Sequence, residues 1–223
     1  MTALFRYPDQ AQLKRVVPKA RIYDTAGAST ALKDRFVKEL DQIIWAYKLA
    51  PETVRLPATK QVPEIQVFRL TLKTAELHQD VLRAIDRAIP FPLIFELRRN
   101  GQIQVAAARK RPSEADNAKW VLVGDHLRSE WCPEETERTA LPVSLNLGGL
   151  YDQLLTALMP IAPVAEEDID ARLERLEAIK AKEREISQLQ AKLKRETQFN
   201  IKMTLHGQLQ EAQKAFDHLK KPE

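Results

Sequence analysis

Apolar residues recur at two different steps along this chain, and the changes of step mark its elements. Leu32, Phe36, Leu40, Ile43, Ile44 and Tyr47 follow one another at helical spacing. They predict one amphipathic helix through residue 50, opened at Ser29 or Thr30. It stops at Pro51, because the residue before a proline leaves the helical region. Over residues 64–73 the step shortens. Ile65, Val67, Leu70 and Leu72 alternate with polar residues, with a phase change near Phe68, and predict a strand carrying a bulge. Leu77, Val81, Leu82, Ile85 and Ile89 return to the helical step and predict a second helix, opened by Thr74 and ended by Pro90. Residues 20–23 predict a short strand.

The stretch IPFPLIFELRRNGQ joins these elements to a sheet. Pro90 closes a helix, and Pro92 stands at the first residue of a strand, where a missing N–H is tolerated. Leu93, Ile94, Phe95 and Leu97 form that strand. Asn100-Gly101 is the strongest short hairpin signal, because a type I′ turn needs positive φ at both central positions. QIQVAAARK is the return strand. Trp120-Val-Leu-Val and the residues from His126 predict another hairpin, turning at Gly124-Asp125. A helix over 150–159 follows. Residues 1–160 are expected to form an α+β domain, an antiparallel sheet with helices packed on it.

After Pro160 and Pro163 the composition changes. No proline recurs until Pro222, and Gly207 is the only glycine. Ile179, Ile186 and Leu193 keep a seven-residue spacing, with Leu189 and Met203 on an accompanying seam. The heptad is broken by Lys182, Glu196 and Asn200. Residues 161–223 are expected to form a helical or coiled-coil arm, either one long helix or a hairpin turning near 197–200. An isolated amphipathic helix is marginal in water, so this seam needs a partner. Ile179, Ile186, Leu189, Leu193 and Met203 are the expected partner-binding residues.

Charge and cysteine content narrow the function classes. The chain carries 35 Lys and Arg against 31 Asp and Glu, a net +4. Twelve of each sign lie after Val164, so the excess belongs to the first domain. A charge this small does not by itself make a nucleic-acid binder. Cys132 is the only cysteine, which excludes an internal disulfide and points to a reducing, cytoplasmic setting. MTALFRYPDQ has no apolar h-region, and no window approaches a membrane span, so no membrane partner is expected.

The four histidines form no HxxxH, HExxH or CxxC arrangement, and GGLYDQ lacks the lysine of a phosphate-binding loop, so no metal or cofactor is expected. Glu96 and Lys110 on neighbouring strands are the candidate pair for a divergent metal-dependent nuclease. Such a site also needs a second acid, and alanine stands where an acid-x-Lys pair would carry it, leaving Glu64 or Asp86. Lys19, Arg98, Arg99, Arg109, Lys110 and Arg111 are the candidate nucleic-acid contacts. Pairing around Asn100-Gly101 puts the two clusters at opposite ends of one hairpin.

Four segments carry a resemblance: KLAPETV at 48–54, EIQVFRLTLK at 64–73, AIPFPLIFEL at 88–97 and TQFNIKMTLHGQLQ at 197–210. Together they resemble a bacterial family catalogued as domain of unknown function 4391, over nearly the whole chain. Its hallmark is Ile-Pro-Tyr-Pro ahead of an apolar strand, with Phe91 replacing the tyrosine here. Members tend to lie in gene clusters with helicases and DNA methyltransferases of restriction-like or phage-defence character. The resemblance implies a non-catalytic accessory or adaptor subunit. Its expected partners are a large helicase or methyltransferase subunit, or a second copy through the C-terminal helix, with direct DNA binding and a divergent nuclease as the alternatives.

Overall fold

The structure, a computed structural model, describes residues 3–113 and 120–220. It divides into two compact units, Met1–Met159 and Pro160–Glu223. The first begins with β1 (Phe5–Arg6), a 3-10 turn, β2 (Gln12–Val16), α1 (Lys19–Ala26), α2 (Thr30–Glu39), β3 (Leu40–Leu49) and the short α3 (Pro51–Val54). β4 (Ile65–Leu72), α4 (Gln79–Ala88), β5 (Leu93–Arg99), β6 (Gln102–Pro112) and β7 (Trp120–Arg128) form its centre. β8 (Cys132–Pro133), β9 (Thr139–Ala140) and α5 (Leu147–Thr156) close it.

The main sheet runs β2-β3-β4-β5-β6-β7, with β8 also on β6. The fold is α+β as expected, and the sheet is mixed in detail. β4 and β5 are parallel, with Phe68 opposite Phe95, and the other pairs are antiparallel. The reason is α4: parallel neighbours need a crossover, and a helix supplies it. Ile22, Phe36, Val81, Leu82 and Ile85 from the helices pack on Phe68, Leu70, Phe95 and Leu97 of the sheet. Each such side chain contributes about 1.5–3 kcal/mol when fully buried.

α4 opens at Gln79 under a His78 cap rather than at Thr74, and three further elements differ from the sequence expectation. The helix predicted through residue 50 ends at Glu39, and Leu40–Leu49 is a strand. Its register slips between Leu40 and Gln42 and again between Trp45 and Tyr47. Each bulge adds one residue, so Leu40 and Ile43 share one face, and Ile44 and Tyr47 the other. Two bulges thus stretch a period of two toward three and imitate a helix. Residues 20–23 lie in α1, which ends at Gly27 in the left-handed region. Gly124-Asp125 does not turn the chain. β7 is continuous, and between Leu127 and Val123 it carries residues that have no counterpart between Ala107 and Arg109 of β6.

In the second unit, α6 (Ile169–Arg195) and α7 (Phe199–Lys220) pack on each other. The chain therefore takes the hairpin alternative. Asp168 caps α6 by accepting from the Ala171 amide at 2.8 Å. Arg175 fastens the hairpin's open end. It grips Glu167 at 2.6 and 2.8 Å and donates to the Leu219 carbonyl at 3.2 Å. A cation there meets the negative end of α7.

Asn100 and Gly101 have φ of 49° and 72°, as a type I′ turn requires. A Cβ added at Gly101 would meet nothing within 4 Å, so Gly101→Ala tests backbone strain alone. We expect a loss of about 1–2 kcal/mol, read as a lower urea midpoint at unchanged slope.

Candidate functional site: the surroundings of helix α4

Pro90 ends α4 and leaves a debt in doing so. In a continuing helix the amide of residue 90 would donate to the carbonyl of Asp86, and proline has no amide proton. The ammonium of Lys110, reaching from β6, takes its place. Lys110 Nζ donates to the carbonyls of Asp86 and Ile89, and stands 3.5 Å from the Asp86 carboxylate. All three ammonium protons thus have an acceptor. The other Asp86 oxygen lies 2.7 Å from His126 Nε2. Asp86, Lys110 and His126 are buried, and His126 Nδ1 has no hydrogen-bond partner. Burial lowers the Lys110 pKa to about 8, more than the attraction of Asp86 raises it.

The β7 bulge aims the other partners. His126 turns inward to Asp86, while the preceding Asp125 accepts from Gln79 and Arg83 of α4 at 2.6 Å each. Bulges commonly re-aim a side chain in this way. Beyond the last β5–β6 pair, Ile94 with Ala107, Tyr151 of α5 takes over the sheet's hydrogen bonding. Its phenol donates to the Ala108 carbonyl at 2.5 Å and accepts from the Lys110 amide at 3.1 Å. Burial pushes the Tyr151 pKa up.

Glu96 sits elsewhere. It opposes Val105, and Lys110 is five residues further along β6, so strand alternation puts the two on opposite faces. The Glu96 carboxylate is 1 % exposed and bonds Arg69 at 2.8 Å and Arg138 at 2.6 Å. Arg138 also donates to the Phe5 carbonyl, joining the paired β1 and β9 to the sheet. The nuclease pair is therefore not brought together. Of its two candidate acids, Asp86 meets Lys110, whereas Glu64 pairs with Lys48 at 3.3 Å.

The predicted nucleic-acid contacts are likewise dispersed, and most are engaged internally. Lys19 donates to the Leu40 carbonyl at 2.6 Å, Arg98 pairs with Glu134 at 2.7 Å, and Arg109 with Asp152 at 2.5 Å. Lys110 is sealed under α4, and Arg99 and Arg111 are half-buried. Of the predicted partner-binding residues, Ile179 and Leu189 are buried, Ile186 and Leu193 half-buried, and Met203 is 58 % exposed. Phe199, 73 % exposed, and Ile201 join Met203 at the start of α7.

Sequence reading missed a cleft of about 280 Å³ lined by Ser29, Leu32, Arg35, Asp80, Arg83 and Arg87. Arg83 and Arg87, one turn apart on the polar side of α4, were a visible signal. Arg35 gave no such signal, because the packing of α2 beside α4 is not written in the spacing of either helix.

Residues 5–216 match the family described as domain of unknown function (DUF4391), and the chain belongs to that family. Comparison with curated proteins and with solved structures gives no match. Among the described residues no group of His, Cys, Asp and Glu is placed to hold a metal, and no helix is long and apolar enough to cross a membrane.

Two outcomes follow from this geometry. Tyr151→Phe leaves the Ala108 carbonyl and the Lys110 amide without their partner and should cost about 1–3 kcal/mol in urea unfolding. Lys110→Met should cost more, about 3–5 kcal/mol, because it strands a buried carboxylate. Its pH dependence is specific. Lysine titrates near 10.5 when unfolded and near 8 here, so between those values the unfolded chain holds more protons and stability rises with pH. The stability difference between wild type and Lys110→Met should therefore grow from pH 8 to 10.5; a flat difference would show that the ammonium is not desolvated.

Proposed function

We propose that the protein is a non-catalytic accessory subunit, docking through its helical hairpin onto a large helicase or methyltransferase subunit of a bacterial DNA-processing or defence assembly. The observation that carries this reading is the apolar pair Phe199 and Met203, 73 % and 58 % exposed where α7 begins. Large apolar side chains clustered on a surface favour a protein contact. Phe199 and Met203 lie one turn apart and present a ridge for a groove on the partner. Lys192, Lys194 and Arg195 in the last turn of α6 and Lys202 in the first turn of α7 are their neighbours along the chain and favour an acidic rim on that partner. The company of such enzymes that the family resemblance implies agrees with this reading, as does the internal pairing of Glu96 and Asp86 in the first unit.

The full chain mixed with a large helicase or methyltransferase subunit from the same organism should co-elute in size-exclusion chromatography with light scattering. Phe199→Asp with Met203→Asp should weaken the complex at least tenfold while leaving the far-ultraviolet circular dichroism unchanged. Undiminished co-elution sinks the proposal. A mass of twice 25.5 kDa for the chain alone, lost in the same variant, would reassign the ridge to a second copy.

A further inference from the structure

The geometry points to a phosphate-binding site in the cleft between α2 and α4, taking the phosphate group of a nucleotide or of a nucleic-acid backbone. The inference stands apart from the adaptor reading, because the two use different units and share no residue.

The site is built from two directions. From α2 comes a helix amino end. Ser29 Oγ accepts from the Leu32 amide at 3.3 Å, which leaves the amides of Thr30 and Ala31 without an acceptor in the helix. From α4 come Arg83 and Arg87, and from the flank of α2 comes Arg35. Helix amino ends and arginine forks are the two commonest protein devices for binding phosphate. Three guanidinium groups against the single carboxylate of Asp80 leave the lining with a charge of +2. Asp80 stands in the first turn of α4, where its amide donates to His78 Nδ1 at 3.2 Å. Arg83 is shared with Asp125, while Arg35 and Arg87 make no ion pair among the described residues. Two free guanidinium groups thus flank the helix end.

The setting is also rigid. α4 is fixed on its buried side by Lys110 and His126, and on its flank by Asp125. Arg83 and Arg87 therefore project from an immobile support, which lowers the entropic cost of binding. At about 280 Å³ the cleft lies just below the usual range for small-ligand pockets, roughly 300–1,000 Å³. It suits one phosphate rather than a whole large cofactor.

The test is a nuclear magnetic resonance titration of the full chain with inorganic phosphate, with deoxyadenosine monophosphate and with a thymidine oligonucleotide, each matched in ionic strength by chloride. Saturable shifts are expected at the Thr30 and Ala31 amides and at Nε of Arg35 and Arg87. Arg35→Gln with Arg87→Gln should weaken binding about tenfold or more. Asp80→Asn should tighten it, and Lys60→Gln should leave it unchanged. Tighter binding of the oligonucleotide than of the mononucleotide, with steep salt dependence, assigns the backbone as the source; equal affinity assigns the free nucleotide. Chloride shifting the same resonances equally, or the double variant binding like wild type, overturns the site.

Discussion

The carboxyl end of α4 depends on a lysine from another strand. Pro90 stops the helix by removing the amide that Asp86 would otherwise receive, and a buried carbonyl cannot go unpaired without a cost of about 1–3 kcal/mol. Lys110 supplies the missing donor, meets the Ile89 carbonyl and faces the Asp86 carboxylate. One ammonium thereby joins α4 to β6 across the parallel β4–β5 pair. His126 on the opposite side of Asp86 adds β7. The order of the sheet and the position of its covering helix are thus fixed by one charged cluster as well as by apolar packing. Because Lys110 was first read as a surface cation, this role changes what substitutions there would mean.

Much of the fold was legible because its signals are local. Pro90 and Pro92, Asn100-Gly101 and the altered composition after Pro163 each act through a few adjacent bonds, and each appears where expected. The β3 strand was not legible for a specific reason. Two bulges stretch the spacing of Leu40 and Ile43, and of Ile44 and Tyr47, from two residues to three, which the hydrophobic pattern alone reads as helical steps. The β-branched and aromatic run Ile43-Ile44-Trp45 was the remaining cue, and it favoured a strand. Gly124-Asp125 misled in the same way. Glycine with φ of 72° permits a turn or a bulge, and only the partners of Asp125 and His126 on α4 decide between them.

The candidate site was less legible, since charge in a sequence does not reveal which charges are already paired. Lys19, Arg98, Arg109 and Lys110 looked like a binding surface and are instead bonded to Leu40, Glu134, Asp152 and the end of α4. Glu96 looked catalytic and instead holds Arg69 and Arg138, the second of which fastens the N-terminal segment. Arg35 lies in a helix as expected, but helical spacing does not show that α2 sets it beside Arg83 and Arg87 of α4.

Helix ends account for how the remaining cations are distributed. A helix leaves carbonyls unpaired at one end and amides at the other, so it draws cations to the first and anions to the second. In the first unit Lys110 serves the carboxyl end of α4, and in the second Arg175 serves that of α7. Asp168 and Asp80 stand at amino ends in the matching sense. The start of α2 lacks this match. Its first turn contains no acidic residue, and Arg35 and Arg87, which make no ion pair among the described residues, stand in the cleft it enters. The starts of α1 and α5 also lack an acid, so what singles out α2 is the arginine pair beside it, and the charge that this helix end and the arginines together call for is negative.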